Sequence, residues 1–289
     1  MEWERAKNYI LTAFVLLNLS LAGLLFREDS RYTLSQERIS NIHAVLTNNN
    51  INLYTNPMRR FAPMRHLEVM GFDYDIPELI EIFFGEDAQV IQLEADEGHY
   101  IFESENEEHG RLEISNGFIY FDNNLDLGEN RDEKNISHEF ALEIADVLIT
   151  EHFPDFVADM VFDEIDGNGV QIIYRQKYRG RIIHSNFIEF LVTSEGIAWI
   201  DMHYGRVIGY GADPRMIFAP DEILLTFMQR VQHIAAEKPI FISHIDIVYN
   251  SQEDMQEGVI SPAVPFYRIF IRDHDFPFLI NAYTNVYFE

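Results

Sequence analysis

The 289-residue sequence contains no cysteine. That absence excludes disulfides, thiolate catalysis, iron–sulfur clusters, cysteine-based zinc sites and any lipid attached through a thiol. It leaves the compartment open, because exported bacterial proteins often lack cysteine as well. Bases are also scarce. The chain has 21 Lys and Arg against 48 Asp and Glu, a formal net charge of −27. Residues 1–31 hold four acids and four bases, so the whole excess lies beyond them, as 44 acids against 17 bases. Such a surface repels phosphates, which makes nucleic acid a poor partner, and it repels an anionic membrane or wall polymer in the same way. The plainest reading of the acidity is solubility.

Catalytic motifs are missing too. There is no Gly-x-Ser-x-Gly elbow, no phosphate-cradling glycine loop and no His-x-x-x-His pair, and the eleven His are scattered. The expectation is a protein that is not an enzyme, with no cofactor and no metal. Two stretches resemble cation sites at first sight. Asp122, Asn124, Asp126 and Glu133 follow the ligand spacing of a calcium loop, but Leu127 stands where the loop needs Gly, and the segment before it reads as a strand. Asn123–Lys134 is therefore read as an acidic linker. Asp166-Gly167-Asn168-Gly169 lies between apolar strands and reads as a hairpin turn.

What is present begins with bulk for a core: 47% hydrophobic residues, including 23 Phe and 14 Tyr. The N-terminus carries a run without formal charge from Asn8 to Phe26, bracketed by Lys7 and Arg27. As a helix it rises about 28 Å, close to the ~30 Å of a hydrocarbon core, and so predicts a single-pass membrane anchor. Ser20-Leu21-Ala22 could instead precede a signal-peptidase cut, but Leu24-Leu25-Phe26 continue the run past it. Each flank holds two bases, so charge gives no orientation. The short tail is expected in the cytoplasm, with the bulk of the chain exported. Asn8, Leu11, Val15, Asn18, Ala22 and Leu25 recur at spacings of three and four and share a face. The Asn18 amide needs a polar partner, either another helix or a carbonyl of its own helix.

Beyond residue 31 the pattern predicts two lobes, 32–130 and 131–289. The first reads as a helix over Thr33–Asn48, strands at Ile51–Tyr54 and His66–Phe72, a helix over Pro77–Phe84, and strands at Val90–Ala95, His99–Ser104, Arg111–Ser115 and Phe118–Asp122. Asn116-Gly117 marks the last hairpin. The second opens with a helix over Ser137–Phe153 whose apolar face is Phe140, Ile144, Val147 and Leu148. Strands follow at Val170–Tyr178, Arg181–Val192 and Ile197–Tyr204. A helix from Pro220 to Lys238 comes next, then strands at Ile240–Tyr249, Phe266–Arg272 and Phe278–Thr284. The fold class expected is α+β: a transmembrane helix, then two lobes of antiparallel sheet, each covered on one face by a helix.

Met1-Glu2-Trp3-Glu4-Arg5-Ala6-Lys7, followed by an apolar helix with Phe14 and Leu17-Asn18, resembles the start of the YycI (WalI) family. The run Val170-Gln-Ile-Ile-Tyr-Arg-Gln-Lys-Tyr-Arg-Gly-Arg-Ile-Ile183 resembles that family's paired strands. Pro265-Phe-Tyr-Arg-Ile269 and Phe278-Leu-Ile-Asn-Ala-Tyr-Thr284 resemble its closing strands, a pattern shared with PepSY-like sheets. Tyr267 stands where the family often has Trp, and Asn285 where it often has Gly. The resemblance implies a PepSY-like, YycH-like fold and a regulatory membrane protein of the YycFG (WalRK) two-component system. It implies a sensor histidine kinase of the YycG/WalK type and a YycH-like protein as partners, and an influence on cell-wall metabolism. The implied contact runs through the membrane helix, with Trp3, Lys7, Phe14 and Asn18 matching the family pattern and Leu11, Val15, Ala22 and Leu25 completing the face. The alternative is an exported PepSY-like binding or inhibitor module tethered by that helix; a wall-active enzyme is a further rival.

Overall fold

A computed structural model describes residues 2–71, 75–85, 89–96, 99–105, 110–115, 117–123, 136–163, 169–251 and 258–288, with the backbone alone for 2, 4, 22–30, 94–96 and 162–163. The elements before the linker are α1 (Glu2–Arg31), α2 (Gln36–Asn48), β1 (Ile51–Leu53), β2 (Leu67–Gly71), α3 (Ile76–Phe84), β3 (Val90–Asp96), β4 (His99–Ser104), β5 (Arg111–Ser115) and β6 (Phe118–Asp122). After it come α4 (His138–His152), β7 (Phe156–Asp163), β8 (Val170–Tyr178), β9 (Arg181–Thr193), β10 (Gly196–His203) and β11 (Gly205–Tyr210). The chain closes with α5 (Pro220–Glu237), β12 (Ile240–Ser251), β13 (Ile260–Ile271), β14 (Phe278–Asn281) and β15 (Tyr287–Phe288). The expected Asn124–Lys134 part of the acidic linker and the Asp166–Asn168 turn lie outside the described residues.

The α+β class holds, with two corrections. The expected sheets are purely antiparallel, whereas β1 runs parallel to β12 and β12 parallel to β9. The second correction concerns the membrane. Among the described residues no helix is long and apolar enough to cross one. The stretch Asn8–Phe26, expected to cross a membrane, is helical, inside α1. Asn8, Thr12, Asn18 and Ser20 interrupt its apolar run.

The chain forms two compact units: residues 1–64, 215–246 and 267–289, and residues 65–214 and 247–266. In the first, α2 packs on α5. Ser35 caps α2, its hydroxyl accepting from the Arg38 amide. Ile39, Ile42 and Leu46 of α2 are buried, as are Ile223, Leu224, Phe227, Val231 and Ala235 of α5. Pro220 occupies the first turn of α5, where a missing N–H costs nothing. Arg38 makes a two-pronged ion pair to Asp221, both contacts at 2.7 Å, in exposed positions that hold its worth to about 1 kcal/mol or less. Asn50 turns the chain into β1 with φ +63, and its side chain donates to the Ala235 carbonyl at the end of α5. Arg268 on β13 is buried and forks onto Asp246 of β12 at 3.0 and 2.7 Å. Asn285 adopts φ +56, a left-handed conformation that asparagine tolerates best after glycine.

In the second unit β7, β8, β9 and β10 form a meander, and β10 pairs with β6, which continues through β5 and β4 to β3. The β8–β9 turn is Arg179-Gly180 at φ +46 and +82, the left-handed pair that a two-residue hairpin requires. β2 lies between β11 and the start of β13. The pairing of Phe121 with Ile200 joins the expected first lobe to the second, so the compact units do not follow the contiguous spans 32–130 and 131–289.

One face of this sheet is apolar. Ile172, Tyr174, Ile188, Phe190, Ile200 and Met202 lie on it, with α3 and α4 packed against them. The buried stripe of α4 is Ala141, Ala145 and Ile149; of the expected face, Ile144 and Leu148 are half-buried against the same core, whereas Phe140 and Val147 are 43% and 64% exposed. Small alanines let the helix backbone lie close to the large rings of Tyr174 and Phe190. The Tyr174 hydroxyl donates to Asp146 at 2.6 Å and fixes the helix rotation; burial, then Asp146, pushes that hydroxyl's pKa well up.

β9 changes partners partway along. Its second half pairs with β10, while Ile183 in its first half pairs with Tyr249 of β12. The register against β8 jumps between Arg175 and Gln176, so residues 184–186 bulge. Asn186, 0% exposed, donates to Gln176 Oε1 at 2.6 Å and to the Gly205 carbonyl at 2.8 Å. Arg175 donates to the His184 carbonyl, and Ser185 Oγ accepts from the Ser251 amide at 3.1 Å. We expect Asn186→Ala to cost about 1–3 kcal/mol, because it strands buried acceptors. Val147→Ala on the exposed side of α4 should stay within about 0.5 kcal/mol. Urea denaturation followed by circular dichroism measures both; an Asn186→Ala cost as small as the control would show that the bulge does not depend on this amide.

Candidate functional site

The residues expected to form a partner interface all belong to α1. Trp3, Lys7, Leu11, Phe14, Val15 and Asn18 are exposed, Leu11 by 62% and Phe14 by 65%. The side chains of Ala22 and Leu25 lie outside the described residues. Exposure is not confined to the expected stripe. Tyr9, Ile10, Leu16, Leu17, Leu19 and Leu21 are exposed as well, on the other sides of the helix. A helix apolar on every side is ordinarily a buried one, and a contiguous exposed apolar surface of this kind marks a place where another molecule binds. Asn18 resolves its own polarity locally: its side-chain amide donates to the Phe14 carbonyl at 2.9 Å. Thr12 does the same to Asn8 at 2.9 Å. The helix therefore presents Asn18 to a partner with part of its hydrogen-bonding demand already met.

A second constellation lies on the sheet of residues 65–214, opposite the apolar face. Glu189 of β9 stands directly across from Asp201 of β10, and Asp201 stands across from Tyr120 of β6. Glu189 accepts a hydrogen bond from Gln171. Burial, and secondarily the neighbouring Asp201, raises the Glu189 pKa against the lowering effects of Gln171 and Arg175. Burial raises Asp201 too, partly offset by His203. Two half-buried carboxyls in a direct cross-strand pair hold a proton more readily than free acids do. Sequence reading passed over both, since each is an acid in a strand with no motif around it. Even a hairpin count misplaces them: Thr193 against Gly196 would set Glu189 against Ile200, but a bulge between Ile197 and Trp199 shifts the register by one.

The cation sites considered from sequence gain nothing from the fold. Asp122 lies at the end of β6, and the remaining acids of the calcium-like spacing lie outside the described residues. Among the described residues no group of three or more His, Asp or Glu is arranged to hold a metal ion.

The arrangement defines a class, an α+β chain with helix-covered sheet and an exposed apolar helix, and a comparison with solved structures finds a similar fold. An uncharacterized protein from Eubacterium rectale is similar at 12% identity and TM-score 0.55, over 83% of this chain and 91% of its own. The Bacillus megaterium YpeB C-terminal domain overlaps at 10% identity and TM-score 0.45, over 76% of this chain and 97% of its own, too loosely to define a shared fold. No family model matches the chain, and no curated protein matches it.

The raised carboxyl pKa values carry a pH dependence. Below the unfolded-state pKa of about 4 both states are protonated, and the Glu189–Asp201 pair costs nothing. As pH rises from there through the raised folded-state values, the unfolded chain releases its protons first, and stability falls. Glu189→Gln keeps an acceptor for Gln171 and removes the like charge. It should stabilise the protein at pH 7 by about 0.2–1 kcal/mol, with the gain fading toward pH 4. Denaturation midpoints of both proteins across pH 4–8 measure this; a gain that does not change with pH would contradict the assignment.

Proposed function

We propose that this protein is a non-enzymatic regulator that acts by binding another protein through α1, in the manner of YycI-like proteins. The observation that carries the reading is the exposure of large apolar side chains on every side of one long helix. The YycI-like residues at the N-terminus direct the proposal to a sensor histidine kinase of the YycG/WalK type, with a YycH-like companion, at the cell membrane and with the bulk of the chain outside the cytoplasm. A partner helix packing on α1 biases the kinase between two arrangements by the difference in its contact energy with each. Asn18 adds an amide to that contact in an otherwise apolar surface, worth about 0.6–2 kcal/mol when it bridges helices.

A second reading, an exported PepSY-like binding or inhibitor module, draws on a different observation: a cavity in the unit containing α3 and α4, lined by Phe153, Phe156 and Tyr204 with Asp75, Glu78 and Asp155. Under it the ligand meets the sheet-bearing unit rather than α1.

A two-hybrid assay in bacteria, with the full chain against the kinase and against the companion, separates the two. Phe14→Glu should lower the signal by about tenfold or more by placing a charge in the contact, and Asn18→Leu by about three- to tenfold. An intact signal from a Phe14→Glu chain that is expressed and folded would move the contact away from α1 and sink the first reading.

A further inference from the structure

The unit containing α3 and α4 holds a cavity of about 130 Å³ that opens between the start of α3, the segment after α4 and the end of β10. Its floor is apolar: Leu79, Phe156 and Met202 line it and are buried. Two more rings form its walls. Phe153 meets Phe156 edge-on at 6.2 Å, and Tyr204 meets the same ring at 5.5 Å and 61°. The rim is acidic, with Asp75, Glu78 and Asp155 at the mouth and exposed. His152 also lines it.

Local structure explains how these residues converge. Asp75 is the N-cap of α3, its carboxylate accepting from the Glu78 amide. Pro77 in the first turn fixes the start of the helix, so Glu78, Leu79 and Ile82 share the side facing the cavity. Phe153 ends α4, its amide donating to Ile149. The turn through Pro154 then places Asp155 at the mouth and drops Phe156 into the core, with the Phe156 amide donating to the Phe153 carbonyl at 3.0 Å. Burial, and then Asp155, raises the Tyr204 pKa against the lowering effect of Arg206, so its hydroxyl is neutral and a donor at physiological pH.

Ring faces attract cations, carboxylates hold them, and an apolar floor accepts an alkyl stem. An anion would meet three like charges. A neutral apolar group would cover the rim acids without pairing them. The volume suits one long side chain and not a folded element or a peptide backbone. We infer that this cavity is a binding site for the ammonium-bearing side chain of a lysine presented by a partner polypeptide. The ammonium sits between the Phe153 and Tyr204 rings and the carboxylates of Glu78 and Asp155, and the four-carbon stem lies on Leu79, Phe156 and Met202. Lysine fits better than arginine because its head is compact and its stem long. A polypeptide is the fitting source because the −27 charge of the chain steers basic partners toward it and raises their rate of encounter.

The test uses the full chain and two probes that differ only in the charged group: Nα-acetyl-lysine methylamide and Nα-acetyl-norleucine methylamide. Ring signals of Phe153, Phe156 and Tyr204, assigned by NMR, report occupancy. The lysine probe should shift them saturably, and the norleucine probe should bind about tenfold more weakly. The double variant Glu78→Gln, Asp155→Asn changes only exposed rim groups and should weaken the lysine probe by about tenfold, with the ring signals of the free protein unchanged. Equal binding of the two probes would reduce the site to an apolar cavity and overturn the inference. So would full-strength lysine binding to the double variant, or no saturable shift at all. None of these outcomes bears on α1.

Discussion

The pairing of β9 governs the unit of residues 65–214 and 247–266. One strand must satisfy β8 along its length, β10 beside its second half and β12 beside its first. A regular strand cannot switch neighbours without leaving backbone groups stranded, and buried stranded groups are costly. The chain answers with a bulge at residues 184–186 and a set of side chains that take over where the ladder lapses. Asn186 reaches Gln176 and the Gly205 carbonyl, Arg175 reaches the His184 carbonyl, and Ser185 receives the Ser251 amide. Arg175 is itself held by Asp159 at 3.2 Å in a pair that is almost fully buried. Polar residues in this core are therefore structural, and their chemistry is spent on the backbone.

That constraint positions the rest. With β9 and β10 in place, Ile188, Phe190, Ile200 and Met202 face α4, and the alternate residues, Glu189 and Asp201 among them, face away. The end of β10 brings Met202 and Tyr204 against Phe156, and the return of the chain after α4 brings Phe153 and Asp155 beside them. The acid-rimmed cavity is thus a by-product of the same registers that build the core. Helix α1 stands under a different logic. Its described apolar side chains are exposed on all sides, so the chain itself gains no free energy from burying them.

Much of the fold was legible because its signals are local. Alternation marked β4, β5, β6 and β8, and Pro77 and Pro220 marked helix starts, each through backbone sterics that act over one or two residues. The expected strands Val170–Tyr178 and Arg181–Val192 leave Arg179-Gly180 between them, a two-residue turn of the kind a hairpin needs. Less was legible where distant segments compete. The face of α4 reads as Phe140, Ile144, Val147 and Leu148 by hydrophobicity; Ile144 and Leu148 do pack on the core, but the helix is turned so that Ala141, Ala145 and Ile149 are the buried stripe and Phe140 and Val147 stay exposed. Strands β7 and β11 escaped notice since their alternation is irregular. The pair Glu189–Asp201 was hidden by a one-residue bulge, and the cavity by the distances in sequence among Glu78, Phe153 and Tyr204.

The sequence by itself determined the acidity of everything beyond residue 31, the absence of thiol chemistry, the helical apolar N-terminus and the α+β class. These follow from composition and short-range periodicity, which no folding event can alter. Tertiary structure alone decided that β6 pairs with β10 and so draws the two expected lobes into one unit. It alone decided that β12 runs parallel to both β1 and β9, and that three rings and three carboxylates share one cavity. Those outcomes depend on which of several compatible strand edges meet. That choice is settled by core packing and hydrogen-bond satisfaction across the whole sheet, quantities that exist only once the chain has folded.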